Sequence, residues 1–487
     1  MRTKHWQLPF LIGASLAGDA RVASAAPQGA GATFEKPIVI AHRGASGYRP
    51  EHTIESYALG ILMGADFIEP DLVPTSDGVL IARHENALAT VALDAAGAIL
   101  LDSNGRPIVT GQTTNVAELP QFAGRLTVKA IDGVLLGGWF SEDFTFAEIR
   151  TLRTRERIPG VRPANAAYND QFLVPTIDDV ILLVRVAELL TGREVGIYPE
   201  TKHPTYFAQE GRRLNGQPIQ ISTSQLLVEA LVRNGFTDPS RIFIQSFEFA
   251  NLIELQTQLM PAAGIDVPLV QLYGDIEQCC LQPFDAFSRP YDMYYNALVG
   301  ADLNAIYGPL AGVVQNGITT TTHYGDVLSQ RALLTMRALY AEGIGPWKNS
   351  FLLRTALSAP VDGNGDGLAQ ITSGLTGRVH PFLSYAFQAG LKVHPYTLRA
   401  EEPFLTVHAN GVPQAIAGEV AQLLSLGING FFIDQPDLGV AGRDQFLALN
   451  GQSTARLAGG ARAGLDYASL MRAYYEAASA LDPASCR

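Results

Sequence analysis

Cysteine is nearly absent from this chain. Its 487 residues hold three, Cys279, Cys280 and Cys486, too few for a disulfide-built scaffold and without the spacing of a zinc site. The odd count leaves one thiol over in any pairing, and a bridge from Cys486 to one of the vicinal cysteines stays open in an exported protein. Positive charge is also scarce: 35 Lys and Arg stand against 47 Asp and Glu, for a net charge of −12. That balance offers no electrostatic footprint for nucleic acid or anionic lipid. Beyond the N-terminus no run of about 18 uninterrupted apolar residues occurs, so no stable membrane insertion is expected. No glycine-rich nucleotide loop follows a strand-like segment. What remains is a folded chain, 47% hydrophobic and 17% charged, long enough for two or three domains or one barrel with insertions.

The first residues read as an export signal. Arg2 and Lys4 precede an apolar run from Trp6, and Ala23-Ser24-Ala25 has the small-x-small form of a cleavage site. The expected organisation is a signal over residues 1–25 and a single barrel domain over 26–487. The mature protein is expected to be secreted or periplasmic.

Ile38-Val39-Ile40-Ala41 is a short apolar run, rich in β-branched residues that suit a buried strand, and it ends on His42 and Arg43. From there strand-like and helix-like segments alternate. Strands are expected at 65–73, 79–85, 194–200, 241–247, 268–273, 343–348, 391–396 and 430–434. Helices are expected at 53–64, 176–190, 224–234, 249–260, 327–341, 381–389, 412–426 and 465–480. Two stretches break the rhythm: one from about 86 to 169, rich in Gly, Asp, Asn and Thr and read as an insertion, and one from about 274 to 322. Alternation of this kind predicts an α/β fold with parallel strands, an eight-stranded (β/α) TIM-like barrel with an inserted subdomain after an early strand. A doubly wound open sheet is the runner-up. Nine candidate strands are one too many, and the glycines and proline of 343–346 make that segment the expected surplus.

Barrel enzymes carry their chemistry where strands run out. The polar residues at these ends are His42 and Arg43, Glu69 and Asp71, His84, Glu200 and Lys202, Gln245, Tyr396 and Asp434. Glu69 and Asp71 are two apart on one strand and share a face. With Glu200 they make three carboxylates whose convergence calls for a hard dication, Ca²⁺ or Mg²⁺. His42 and His84 are a natural proton-transfer pair. Arg43 and Lys202 offer a fork and a point charge to a phosphate. One dication, two cations and two imidazoles suit cleavage of a phosphodiester.

The same residues resemble a known family. His42-Arg43-Gly44-Ala45, Pro50-Glu51-His52-Thr53, Glu69-Pro70-Asp71, His84-Glu85 and Tyr198-Pro199-Glu200-Thr201-Lys202 follow the signature of the glycerophosphodiester phosphodiesterases. Gln245-Ser246-Phe247, Ile344-Gly345-Pro346, the run from Val393 to Glu401 and Ile433-Asp434-Gln435-Pro436-Asp437 are similar to its later motifs in an exported bacterial branch. The resemblance spans residues 38–437 in order. It implies His42 and His84 as acid and base and Glu69, Asp71 and Glu200 as ligands of a divalent cation; Arg43, Lys202 and Gln245 are expected to face the substrate, and Tyr396 either stacks on its glycerol side or packs as an ordinary strand-end aromatic. The implied reaction releases sn-glycerol 3-phosphate and an alcohol from small glycerophosphodiesters. His52 departs from the family's usual Asn, and Glu85 from its common Asp. The alternative substrate is a lysophospholipid, cleaved in the manner of a lysophospholipase D, which would need an apolar landing surface near the barrel mouth.

Two further features stand apart. Asp362-Gly363-Asn364-Gly365-Asp366-Gly367 has the spacing of a calcium loop, with Asp362, Asn364 and Asp366 as a possible second Ca²⁺ site, but Ser373 occupies the twelfth position. His203, His323, His380 and His408 have no evident partners and are expected to be solvated or structural.

Overall fold

Apolar, β-branched runs bounded by turns pair most readily as parallel strands covered on both faces, and the computed structural model closes eight of them into a barrel. It describes residues 35–276, 286–452 and 465–481. The segment read as an export signal and all three cysteines lie outside these residues. The ring runs Ile38–His42, then Phe67–Glu69 continued as Asp71–Pro74, Gly196–Ile197 continued as Glu200–Thr201, Ile244–Ser246, Leu269–Tyr273, Gly343–Pro346, Lys392–Val393 and Gly430–Ile433. Every neighbouring pair is parallel. Gly430–Ile433 returns to Ile38–His42, and the seam between Lys392–Val393 and Gly430–Ile433 closes through the amide of Phe432 on the Pro395 carbonyl at 3.0 Å. Closure rules out the open doubly wound sheet.

The surplus strand is not the expected one. Gly343–Pro346 is a full member of the barrel, paired on both sides. Its glycines are there for close packing: a Cβ on Gly345 would lie 2.6 Å from Leu272 Cδ2. Leu80–Ala82 is the outsider, antiparallel to Asp71–Pro74. Only the short turn at Thr75–Val79 separates these two strands, with Gly78 at φ +80°. A parallel partner needs a crossover of a dozen or more residues.

Ile40, Phe67, Tyr198, Phe243, Val270 and Phe432 fill the barrel centre. Phe67 packs on Phe243 with ring centroids 5.3 Å apart and Tyr198 on Phe432 at 5.0 Å. The buried His394 ring contacts the Tyr198 hydroxyl through Nδ1 at 2.8 Å. This aromatic layer is the floor beneath the strand ends. Outside, Ile54–Leu62 is capped by Thr53, whose hydroxyl accepts the Ser56 amide, and Ile177–Thr191 starts with a capping box at Thr176 and Asp179. Pro436–Leu449, a helix not expected from the sequence, follows the last strand. Among the described residues no helix is long and apolar enough to cross a membrane.

Between Leu80–Ala82 and Ile177–Thr191 the chain builds an antiparallel sheet, in the order Val109–Gln112, Ala87–Val91, Val134–Phe140, Thr127–Ile131. It has its own core around Leu88, Val116, Trp139, Phe140 and Phe144. Asp132 and Gly133, at φ +48° and +78°, form the two-residue turn between its last two strands. A second antiparallel hairpin, Leu352–Val361 with Ile371–Val379, follows the sixth barrel strand. The supposed calcium loop is its turn. Asp362 accepts the amides of Gly365 at 2.7 Å and Gly367 at 2.8 Å, and Asp366 accepts that of Leu368 at 2.8 Å. Asp362 and Asp366, with Asn364 between them, thus cap the backbone of this turn.

Candidate active site

Strand register brings the predicted residues together. His42 stands opposite Glu69, Asp71 opposite Glu200, and Glu200 opposite Gln245. They form one tier just above the aromatic floor. The chain leaves this tier sharply: Arg43 and Gly44 lie at φ +60° and +87°, and a Cβ on Gly44 would fall 2.5 Å from the Ser56 carbonyl carbon. The bend lets the Arg43 amide donate to Glu69 Oε2 at 2.8 Å. Above the tier opens a cavity of about 1360 Å³, walled by the barrel mouth, the inserted sheet and the second hairpin.

Glu69, Asp71 and Glu200 each present an oxygen within 4.8 Å of the others. They are 1%, 1% and 6% exposed. Burial and the neighbouring Asp71 push the Glu69 carboxyl well above the usual carboxylate range. Burial, with Asp71 adding to it against Lys202, pushes Glu200 up to about 8. Burial works on Asp71 in the same direction, yet Arg43, Lys202 and His52 hold it well below its ordinary value. So by themselves these groups share protons at neutral pH, which is what a missing positive charge produces. Gln245 donates to Glu69 Oε1 at 3.2 Å, while its own buried Oε1 has no partner. Three hard carboxylates and an orphaned amide oxygen fit a divalent cation. Among the described residues this is the one such group.

The two histidines line the same cavity. His42 Nδ1 lies 2.6 Å from Asp434 Oδ1. Burial, then Arg43, lowers its pKa to about 4 in spite of Asp434. His84 Nδ1 lies 2.9 Å from Glu85 Oε1, and burial, Arg43 and Lys202 push this ring down as well. Arg43 holds both Glu51 oxygens through Nη1 at 3.1 Å and turns Nε to Asp71 at 3.2 Å, leaving Nη2 outside both contacts. Lys202 Nζ sits 2.9 Å from Glu200 and 5.6 Å from the Phe247 ring centre. Tyr396 is in the wall, its hydroxyl donating to the Tyr273 carbonyl at 2.8 Å and its ring edge-on to Phe247. Asp362, Asn364 and Asp366 are not among the cavity residues.

Two groups escaped the sequence. Asp434 appeared only as one more polar strand end. Besides His42 it accepts from Arg399 Nε at 2.7 Å and Arg162 Nη2 at 2.5 Å, and Arg162 also donates to the Ser46 carbonyl at 2.9 Å and to Glu401 at 2.6 Å. His203 was expected to stand without partners. Its Nε2 lies 3.0 Å from Glu85 and its Nδ1 2.6 Å from Asp132. Its place directly after Lys202 was the available signal; the partner on the inserted sheet had none.

Comparison with known proteins gives the family. The model of the glycerophosphoryl diester phosphodiesterase family matches residues 42–278. A Bacillus subtilis protein of the same family name, YhdW, is 48% identical over 309 residues, covering 63% of this chain and 92% of that one. The glycerophosphodiester phosphodiesterase of Haemophilus influenzae is 28% identical over 83% of this chain and 88% of its own length. A relative from Arabidopsis thaliana is 28% identical over 82% of this chain and 84% of its own. The chain belongs to the glycerophosphodiester phosphodiesterase family of hydrolases.

Proposed function

We propose that this enzyme hydrolyses glycerophosphodiesters to sn-glycerol 3-phosphate and an alcohol, by acid–base catalysis between His42 and His84 and with a divalent cation, Ca²⁺ or Mg²⁺, held by Glu69, Asp71 and Glu200. The observation that carries the reading is the single tier of His42, Glu69, Asp71, Glu200 and Gln245 beneath a cavity that also holds His84, Arg43 and Lys202. The cation, when bound, offsets charge on the phosphate oxygens. Arg43 Nη2 and Lys202 Nζ supply further positive charge to the same anion. Both imidazoles are neutral in the free site, so one is ready to take the proton of the attacking hydroxyl. Entry of an anionic phosphate raises the pKa of a neighbouring imidazole, and the second ring then gives its proton to the leaving alkoxide. Asp434 and Glu85, each on an Nδ1, direct the Nε2 atoms to this work. The test is release of glycerol 3-phosphate from a panel of glycerophosphodiesters with different alcohols; no release from any of them overturns the reading.

A second substrate, lysophospholipid, is favoured by one feature of the inserted sheet. Val134 and Leu136 line the cavity. Further out on the same sheet, Leu100 and Ile108 face each other across strands joined by the Ile108 amide on the Leu100 carbonyl, and each is 41% exposed. Val134 and Leu136 supply an apolar wall to the cavity that a lipid chain would need, and Leu100 and Ile108 add exposed apolar surface to the inserted segment. Turnover of lysophosphatidylcholine at less than about a hundredth of the kcat/KM for glycerophosphocholine removes this reading. Export rests on the N-terminal segment alone, and N-terminal sequencing of the protein recovered outside the cytoplasm tests it.

A further inference from the structure

In the reading above, each proton-transfer histidine rests its Nδ1 on a carboxylate, His42 on Asp434 and His84 on Glu85. The two supports are unequal. Asp434 is buried and gripped by Arg162 and Arg399. Glu85 stands on a loop with 38% of its side chain exposed. Free carboxylates of that kind wander among rotamers and hold nothing in place.

Glu85 is held by His203. One ring nitrogen of His203 faces Glu85 Oε2 at 3.0 Å and the other faces Asp132 Oδ2 at 2.6 Å. With an acceptor on each side, both nitrogens carry hydrogen and the ring is a cation. Burial opposes that charge, but Asp132 and Glu85 outweigh it and hold the ring well above its ordinary pKa. The backbone is arranged for the contact. His203 sits at φ +48°, a region that side-chain-bearing residues enter only when their surroundings demand it. Asp132 occupies the left-handed position of the turn it shares with Gly133, which aims its carboxylate from the tip of the inserted sheet.

We propose that His203 is a positioning residue for phosphodiester cleavage: clamped by Asp132 of the inserted sheet, it fixes Glu85 and, through Glu85, the ring of His84. The inserted sheet thereby completes the acid–base apparatus of the barrel. The inference rests on His84 acting in proton transfer. It places no group on the substrate, so loss of the clamp lowers kcat and leaves KM nearly alone. His84 faces the cations Arg43 and Lys202 and the anions Glu85 and Glu51. Without the His203 cation the charge of Glu85 falls wholly on His84, so the pH limb that His84 sets moves upward.

Asp132→Asn is the cleanest variant, because Asn tolerates the same turn while removing the charge; His203→Gln removes the bridge itself. With glycerophosphocholine, each should lose about tenfold in kcat with KM within about twofold. In His203→Gln the His84 limb of the kcat profile should rise by about half a pH unit or more, and the double variant should be no worse than the single ones. Unchanged kcat in both variants overturns the clamp. So does a loss of kcat in His203→Gln with the limb unmoved, since that is a merely structural effect. His84→Ala, assayed alongside, separates the levels. If it turns over like the wild type, the acid–base reading itself falls. If it is inactive while Asp132→Asn and His203→Gln behave as wild type, only the clamp falls.

Discussion

Asp434 Oδ1 lies 2.6 Å from His42 Nδ1, a contact between the end of the last barrel strand and the end of the first. The Asp434 carboxyl is held well below the usual range, by Arg399, Arg162 and His42 against the effect of burial. It is therefore a fixed anion that sets the tautomer and direction of His42. Asp434→Asn should lower kcat by about 10- to 100-fold with little change in KM. Steady-state kinetics on glycerophosphocholine check this, and a wild-type kcat would remove Asp434 from the apparatus.

His42→Ala and His84→Ala should each cost about 10²-fold or more in kcat, the ordinary weight of a general acid or base. Circular dichroism of the same preparations distinguishes lost chemistry from lost fold. Near-normal turnover in either variant dismisses that ring from proton transfer.

Chelation should abolish activity, with rescue by Ca²⁺ or Mg²⁺. A binding ion also stabilises the folded state by mass action, so the rescuing ion should raise the melting temperature of the chelated enzyme. The rise should be absent in Glu69→Gln, whose ligand charge is gone. An enzyme indifferent to chelator in both activity and melting would contradict the assignment of Glu69, Asp71 and Glu200.

Acid should destabilise the protein through a residue that takes no part in the chemistry. His394, buried in the barrel floor, has its pKa lowered to about 3 by burial, with Lys392 contributing. An unfolded histidine titrates near 6.5, so below that value the unfolded chain binds the extra proton first. Stability from this ring is complete above about pH 6.5 and declines as the pH falls toward 3. The loss is on the order of 2 kcal/mol at pH 5. Urea unfolding at pH 7 and pH 5 measures it. His394→Gln should show a smaller drop between the two, and an equal drop would place the acid sensitivity elsewhere.

Gly44→Ala should be among the most damaging small substitutions in the chain. A methyl group there would meet the backbone of Ser56 at 2.5 Å in a left-handed conformation. A loss of about 2 kcal/mol or more in stability is expected, together with activity, since the same bend points the Arg43 amide at Glu69. A variant of wild-type melting temperature would show that the bend is not needed.

How far the sequence led depended on distance along the chain. Glu69 and Asp71 could be paired from their spacing alone, and the strand ends carrying His42, Glu200 and Gln245 were marked by apolar runs breaking off at polar residues. The short turn before Leu80–Ala82 was the local signal that set this strand apart from the barrel, but the reading turned on the glycines and proline of 343–346 instead. Those glycines were read as strand-breaking, although close contact with Leu272 is what makes them necessary. Contacts such as Asp132 with His203, or Arg162 with Asp434, join side chains 71 and 272 positions apart. No periodicity encodes them; they exist only once the inserted sheet has docked.

Arg162 has a consequence for anyone exchanging parts between related barrels. It leaves the inserted segment to reach the Ser46 carbonyl, Asp434 and Glu401 at once, knitting the first loop of the barrel to its last two. Trimming residues 86–169 down to a short linker would strip Asp434 of a guanidinium partner, and His42 would be left beside a carboxylate free to turn toward Arg399 alone. A graft meant to change substrate preference must therefore carry Arg162, or a cation in its place, along with the loops it replaces.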